Sequence, residues 1–207
     1  MKKTIQDYFD LTITMSDIGL CKKLDYIKSR ARVLEVANIG MDFSGYGVFY
    51  QIQKNKPNAY LILTNSSVNV ENDNFIDEYI CYMEHNPDVG ALGISYCTKM
   101  IQTLMRRNFT PHLQSFFLLT TTRVLNEVVA LNKGRFPGCG IDHKLLLIRE
   151  GEIKISQLIQ KSGYRLAVVN PLDGVPFKFT NYINWSLPKG DIRQITSEPN
   201  KITSIRK

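Results

Sequence analysis

The sequence predicts one α/β domain with a mostly parallel sheet flanked by helices, and three observations carry that expectation. Segments patterned like strands alternate with segments of helical periodicity from Asp10 to Val169. One strand candidate, Tyr60-Leu61-Ile62-Leu63-Thr64, is a short continuous apolar run, as expected of a strand buried on both faces. The 207 residues, 43% of them hydrophobic, suffice for one sizeable core and do not require a second.

Asp10 to Met15 alternates and is rich in β-formers, so it reads as the first strand. A Lys-rich helical stretch follows from Cys21 to Ser29, then a strand from Arg32 to Ala37 ending in the turn signal Asn38-Ile39-Gly40. Ser44 to Asn55 reads as a helix capped by Ser44 and closed by Lys56-Pro57. After the Tyr60–Thr64 strand, the apolar positions Phe75, Ile76, Tyr79, Ile80 and Met83 give helical spacing over Asp73 to Met83, with Asp73 suited to the helix N-terminus. Strands are expected at Val89 to Ile94, Ser115 to Leu119 and Arg165 to Val169. Helices are expected at Arg123 to Leu131 and Ile153 to Ser162, the latter closed by Gly163. The pattern weakens after Pro171, so the domain is drawn as 1–188 with a basic, flexible tail at 189–207.

Composition narrows the function classes. No stretch of eighteen apolar residues occurs, which argues against a membrane-spanning helix. Asp7 and Asp10 interrupt the apolar core that a signal peptide needs, so the expectation is a cytoplasmic protein. Cys21, Cys81, Cys97 and Cys139 are scattered without a CxxC pair, which fits buried free thiols rather than a zinc knuckle or disulfide framework. Net charge is +7, concentrated at Lys99 to Arg107 and Lys189 to Lys207. Such a balance suits phosphate-bearing substrates or an anionic membrane surface. Nucleic acid is not the expected partner, because no Arg/Lys block is interleaved with stacking aromatics. Dinucleotide, Walker, nucleophile-elbow and zincin motifs are all absent, and His85, His112 and His143 lack metal-ligand spacing.

Ligands of open α/β sheets gather beyond the carboxyl ends of strands, and four polar segments fall at such places. Asn38-Ile39-Gly40-Met41-Asp42-Phe43-Ser44-Gly45-Tyr46 has glycines that allow close backbone approach to a phosphate, although taken alone it is an ordinary strand-to-helix turn. Leu63-Thr64-Asn65-Ser66-Ser67-Val68 ends a buried strand in an amide and two hydroxyls, which alone reads as a capped loop. Pro111-His112-Leu113-Gln114-Ser115 clusters groups able to bind sugar hydroxyls, although a lone histidine is more often structural. Arg149-Glu150-Gly151-Glu152-Ile153 opens a helix with carboxylates, either for the macrodipole or as a general base.

In this order the four segments resemble the rhamnan synthesis family of bacterial polysaccharide glycosyltransferases. Asn38 to Phe43 resembles its "N-x-G-x-D" turn, and Tyr60 to Val68 its strand ending in "N-D-S". His112 to Leu118 is similar to its "H-L-Q-S-Y-F" segment, the most specific match. Glu152 to Tyr164 resembles the acidic helix ending in "G-Y" of inverting family 2-type transferases. The likeness covers Phe9 to Asn170.

The resemblance implies a Rossmann-like glycosyltransferase A fold lacking its first strand-helix unit. It implies sugar transfer with inversion from a nucleotide-sugar donor to a glycan or lipid-linked acceptor. Donor-side residues would be Asn38, Gly40, Asp42, Asn65, Ser66 and Ser67, with His112, Gln114 and Ser115 toward donor or acceptor sugar. Glu152 would be the catalytic base, with Glu150 second to it. Where the family carries a metal-binding Asp this chain has Ser66, a poorer ligand for Mg²⁺ or Mn²⁺. Asp42 and Asp73 are the remaining candidate ligands, and a catalytically inactive carbohydrate-binding or assembly subunit on the same scaffold is the alternative.

Overall fold

The computed structural model describes residues 9–70, 74–97, 111–170, 172–179 and 200–206. Asp73, the basic segment Lys99–Arg107 and residues 189–199 of the expected tail lie outside them. The elements run β1 (Thr12–Met15), α1 (Leu24–Lys28), β2 (Arg32–Glu35), α2 (Asp42–Gln53), β3 (Tyr60–Thr64), β4 (Asn69–Val70), α3 (Phe75–His85), β5 (Val89–Gly93), β6 (Tyr96–Cys97), β7 (His112–Leu113), β8 (Phe117–Thr121), α4 (Thr122–Leu131), α5 (Lys144–Leu147), a widened π-type turn (Ile148–Ile153), α6 (Lys154–Lys161), β9 (Arg165–Val169), β10 (Pro176–Phe179) and β11 (Lys201–Ile202).

The sheet at the centre is mixed, in the order β10-β9-β5-β8-β3. Only β5 and β9 pair in parallel; β8 runs antiparallel to both its neighbours, and β10 to β9. The expectation of a mostly parallel sheet is therefore corrected. Periodicity and apolar content report burial but carry no strand direction. Four of the five β8 residues are buried, so it reads like a parallel core strand. β3 and β5 do point the same way, as a helical crossover through α3 requires, but β8 slots between them. β3 accordingly lies at one edge of the described sheet and is only partly covered, rather than buried on both faces. β1 and β2 form a separate parallel pair, with Thr12 opposite Arg32.

Alternation along the strands divides the core into two layers. Leu61, Leu63, Leu118, Leu166 and Val168 face α2, α4 and α6, meeting Phe43, Tyr46, Leu125, Val128, Ile155 and Leu158. Leu92, Ile94, Phe117, Leu119, Ala167 and Val169 face α3, where Phe75, Tyr79 and Met83 recur at helical spacing. Tyr79 and Phe117 meet edge to face at 5.9 Å. Ile202 of β11 joins this second layer, so residues 200–206 pack on the domain.

Several helix boundaries differ from expectation by one to three residues, and two of the differences bear on the polar segments. α2 begins at Asp42, not Ser44, because Gly40 (φ 95°) and Met41 (φ 46°) turn the chain sharply enough to start the helix earlier. The Ile153–Ser162 helix is preceded by the π-type turn, so helical geometry reaches back through Glu150 and Glu152. The cysteines are free, but only Cys97 is buried; Cys81 and Cys139 are exposed and Cys21 is intermediate. Among the described residues no helix is long and apolar enough to cross a membrane.

Leu119 is fully buried at the centre of β8. Truncation there removes packing that the surrounding strands cannot recover by collapsing. Leu119→Ala is expected to cost about 2–5 kcal/mol in urea unfolding; a loss under about 1 kcal/mol would mean that β8 is not an interior strand packed on both sides.

Candidate functional site

The antiparallel β8 determines which polar segments meet. Thr64 at the end of β3 is paired with Phe117 at the start of β8, so the loop before β8 shares an edge with the turn after β3. Thr64 Oγ1 and the Asn65 amide both donate to the Phe116 carbonyl, at 3.0 and 3.2 Å. Asn65 then faces the start of α2, where its Nδ2 donates to Asp42 Oδ2 at 2.9 Å. Its Oδ1 accepts from the Ser67 amide at 3.0 Å, which closes a local turn and leaves Ser66 and Ser67 exposed.

The other half of the site is the π-type turn. Ser115 Oγ donates to Glu152 Oε1 at 2.8 Å, and the Ser115 amide lies 3.4 Å from the same oxygen. His112 Nε2 stands 3.8 Å from Glu152 Oε2, with the histidine 1% and the glutamate 16% exposed in their side chains. Such π insertions occur often at functional sites, because they turn a side chain out of the regular helical register.

Tyr46 joins the halves. Its hydroxyl donates to the Ser115 carbonyl at 2.7 Å in a buried setting. Burial, then the nearby carboxylates of Asp42 and Glu152, push its ionisation far above the ordinary tyrosine range. Sequence reasoning quoted Tyr46 only as the end of a turn. With the helix starting at Asp42, the two residues are four apart on one face, a signal hidden by the misplaced Ser44 cap.

Two close contacts seat these elements. A Cβ at Gly151 would stand 2.8 Å from Phe43 Cζ, and one at Gly138 would stand 2.7 Å from Phe43 Cγ. Only glycines at those positions let the Phe43 ring lie between the turn that carries Glu152 and the 138–140 loop.

The remaining candidates distribute as follows. Gly40 is buried against the Gly138 carbonyl, and Asn38 is exposed on the turn before it. Gln114 is 2% exposed and braced within the protein, its Oε1 accepting from Ser95 Oγ and its backbone N–H donating to the Ser95 carbonyl at 3.0 Å. The Leu113 amide donates to Ser156 Oγ of α6 at 3.1 Å, which fixes the histidine segment to the same helix unit. Glu150 is separate from the cluster, tied to Arg149 at 2.7 Å and Lys154 at 3.4 Å. The structure thus brings together Asp42, Asn65, His112, Ser115 and Glu152.

Among the described residues, which leave out Asp73, the donor set is a poor one for Mg²⁺ or Mn²⁺. Asp42 brings one carboxylate, with an oxygen already engaged by Asn65, and Ser66 and Ser67 bring neutral hydroxyls. Among the described residues no group of three or more His, Cys, Asp or Glu is suited to a metal.

No protein-family model, curated protein or solved structure matches the chain. The resemblance therefore rests on the motifs themselves.

Tyr46→Phe leaves the Ser115 carbonyl without its buried donor, an expected loss of about 1–3 kcal/mol in urea unfolding at neutral pH. The unfolded phenol ionises near pH 10 while the folded one stays neutral, so its stabilisation is complete below that pH and declines above it. Tyr79, raised mainly by burial, acts in the same direction. Between pH 8 and 11 the wild type should lose more stability than Tyr46→Phe; equal losses would contradict the buried, neutral phenol.

Proposed function

We propose that the chain is a nucleotide-sugar glycosyltransferase of the glycosyltransferase A type, acting by direct displacement with inversion in surface polysaccharide synthesis. One observation supports this above all. Asp42 and Asn65, which the resemblance assigns to the donor, and Ser115 and Glu152, which it assigns to donor or acceptor sugar and to the base, meet at one sheet edge through Tyr46. Four separate chain segments, each unremarkable alone, converge on an arrangement able to do this chemistry.

In the reaction, Glu152 takes the proton of an acceptor hydroxyl as that oxygen attacks the anomeric carbon from the face opposite the leaving group. The bond from that carbon to the diphosphate oxygen breaks, and the nucleoside diphosphate departs with the electron pair. Ser115 orients the Glu152 carboxylate through its hydroxyl, so one carboxylate oxygen is fixed while the other faces the His112 side. The exposed hydroxyls of Ser66 and Ser67 offer donors to the departing diphosphate, and Asp42 accepts from a donor sugar hydroxyl. A glycan or lipid-linked acceptor fits the class, with contact to an anionic membrane surface through the basic C-terminal segment.

A second reading, an inactive carbohydrate-binding or assembly subunit, is favoured by Ser66, whose neutral hydroxyl stands where the family has a carboxylate. Calorimetry with UDP and dTDP, each with and without Mn²⁺, separates the two. Nucleotide binding supports the transferase; binding of glycan but of neither nucleotide supports the subunit.

Given a donor that the wild type turns over, Glu152→Gln should lower transfer by about 10²–10⁴-fold while leaving nucleotide affinity unchanged. Retained turnover would remove Glu152 from the chemistry. Glu150→Gln, altering a residue held by Arg149 and Lys154, should leave transfer within about threefold of wild type.

A further inference from the structure

The turn Asn65–Ser67 is held on its site side by Asp42 and Phe116, but its outer side is closed by a residue far away in sequence. Asn200 uses two groups there. Its side-chain Nδ2 donates to the Ser67 carbonyl, and its backbone carbonyl accepts from the Asn69 amide at 3.1 Å. It thereby brackets the chain on either side of Val68. Immediately beyond, Lys201 and Ile202 pair in parallel with Asn69 and Val70.

A two-residue ladder cannot hold itself together, and this one is anchored from behind. Ile202 is 1% exposed in the core layer on the α3 side. Tyr79 Oη donates to the Thr203 carbonyl at 2.9 Å, and the Ile205 amide donates to Glu78 Oε2 at 2.9 Å. The Arg206 amide donates to the Gly174 carbonyl at 3.0 Å. Segment 200–206 is thus fixed to α3 and to the turn between β9 and β10, and it presents Asn200 to the Ser67 carbonyl from a rigid base.

We propose that Asn200 is a positioning residue for the Asn65–Ser67 turn. Its side-chain amide holds the Ser67 carbonyl so that Asn65 keeps both its bond to Asp42 and its bond to the Ser67 amide, and so that the Ser66 and Ser67 hydroxyls keep one presentation. The donor-binding consequence rests on the transferase reading; the ordering of the turn does not. The chemistry of position 200 is specific. An aspartate of nearly the same shape has no N–H to donate and sets a carboxylate against a carbonyl oxygen.

The test uses the full chain as wild type, Asn200→Asp and Asn200→Ala, with amide hydrogen exchange by mass spectrometry, thermal unfolding, and calorimetry with UDP and dTDP. Both variants should speed exchange in peptides covering 65–70 by about 3- to 10-fold, with β8 and α4 peptides unchanged. The nucleotide that the wild type binds should lose affinity by a similar factor at an unchanged melting temperature. Exchange across 65–70 equal to wild type in both variants would overturn the proposal. So would a lowered melting temperature with unchanged affinity, which is what a purely structural anchor produces. Faster exchange in a protein whose wild type binds neither nucleotide would support the positioning of the turn and overturn the transferase reading instead.

Discussion

The Phe43 ring between Gly138 and Gly151 is the contact on which the candidate site depends. α2 brings Asp42 and Tyr46, while the π-type turn brings Glu152, and nothing in local sequence requires the two to be neighbours. They become neighbours because a large apolar ring, 2% exposed, is buried where two backbones lack side chains. The Cys139 thiol donates to the Phe43 carbonyl at 3.2 Å, which seats the same residue from its backbone side. The apolar burial that stabilises this layer of the core thus also sets the spacing between the Asp42 and Glu152 carboxylates.

The direction of β8 is the second determinant, and it is the feature of the sheet that the sequence pattern led one to expect wrongly. Pro111–Ser115 drew notice as a polar segment beside a strand. Had β8 run parallel to β3, that segment would have opened at the far edge of the sheet, a strand's length from Asn65. Because β8 is antiparallel, its leading loop and the trailing turn of β3 share an edge, and Phe116 accepts from both Thr64 and Asn65. The apolar run made the strand legible; its direction is set by long-range pairing that no local pattern encodes.

Other differences divide the same way. β3 and β9 match their expected bounds, since each is a dense β-branched or apolar run between turn residues. The start of α2 was misread because a hydroxyl at Ser44 mimics a cap, whereas the operative features are two positive-φ residues just upstream. Glu150 and Glu152 were alike in sequence and could be ranked only through the resemblance. In the folded chain two cations hold one of them, and the other turns to Ser115 and His112. Asn200 had no signal at all, sitting in a polar stretch whose role depends on a partner 133 positions away.

Tyr46 shows how these constraints act together on the chemistry. Its phenol is buried, and that burial, with the carboxylates of Asp42 and Glu152, keeps it a neutral hydrogen-bond donor well into the alkaline range. That donor is spent on the Ser115 carbonyl, which leaves the Ser115 hydroxyl and amide to face Glu152. The carboxylate thus receives two donors on one oxygen, while its other oxygen turns toward His112. Under the proposed transferase reading, a carboxylate held this way would be oriented before an acceptor arrives, so little reorganisation would be left for proton transfer. The order of dependence runs from Phe43, which sets the distance, through Tyr46, which fixes Ser115, to Glu152, whose orientation follows from both.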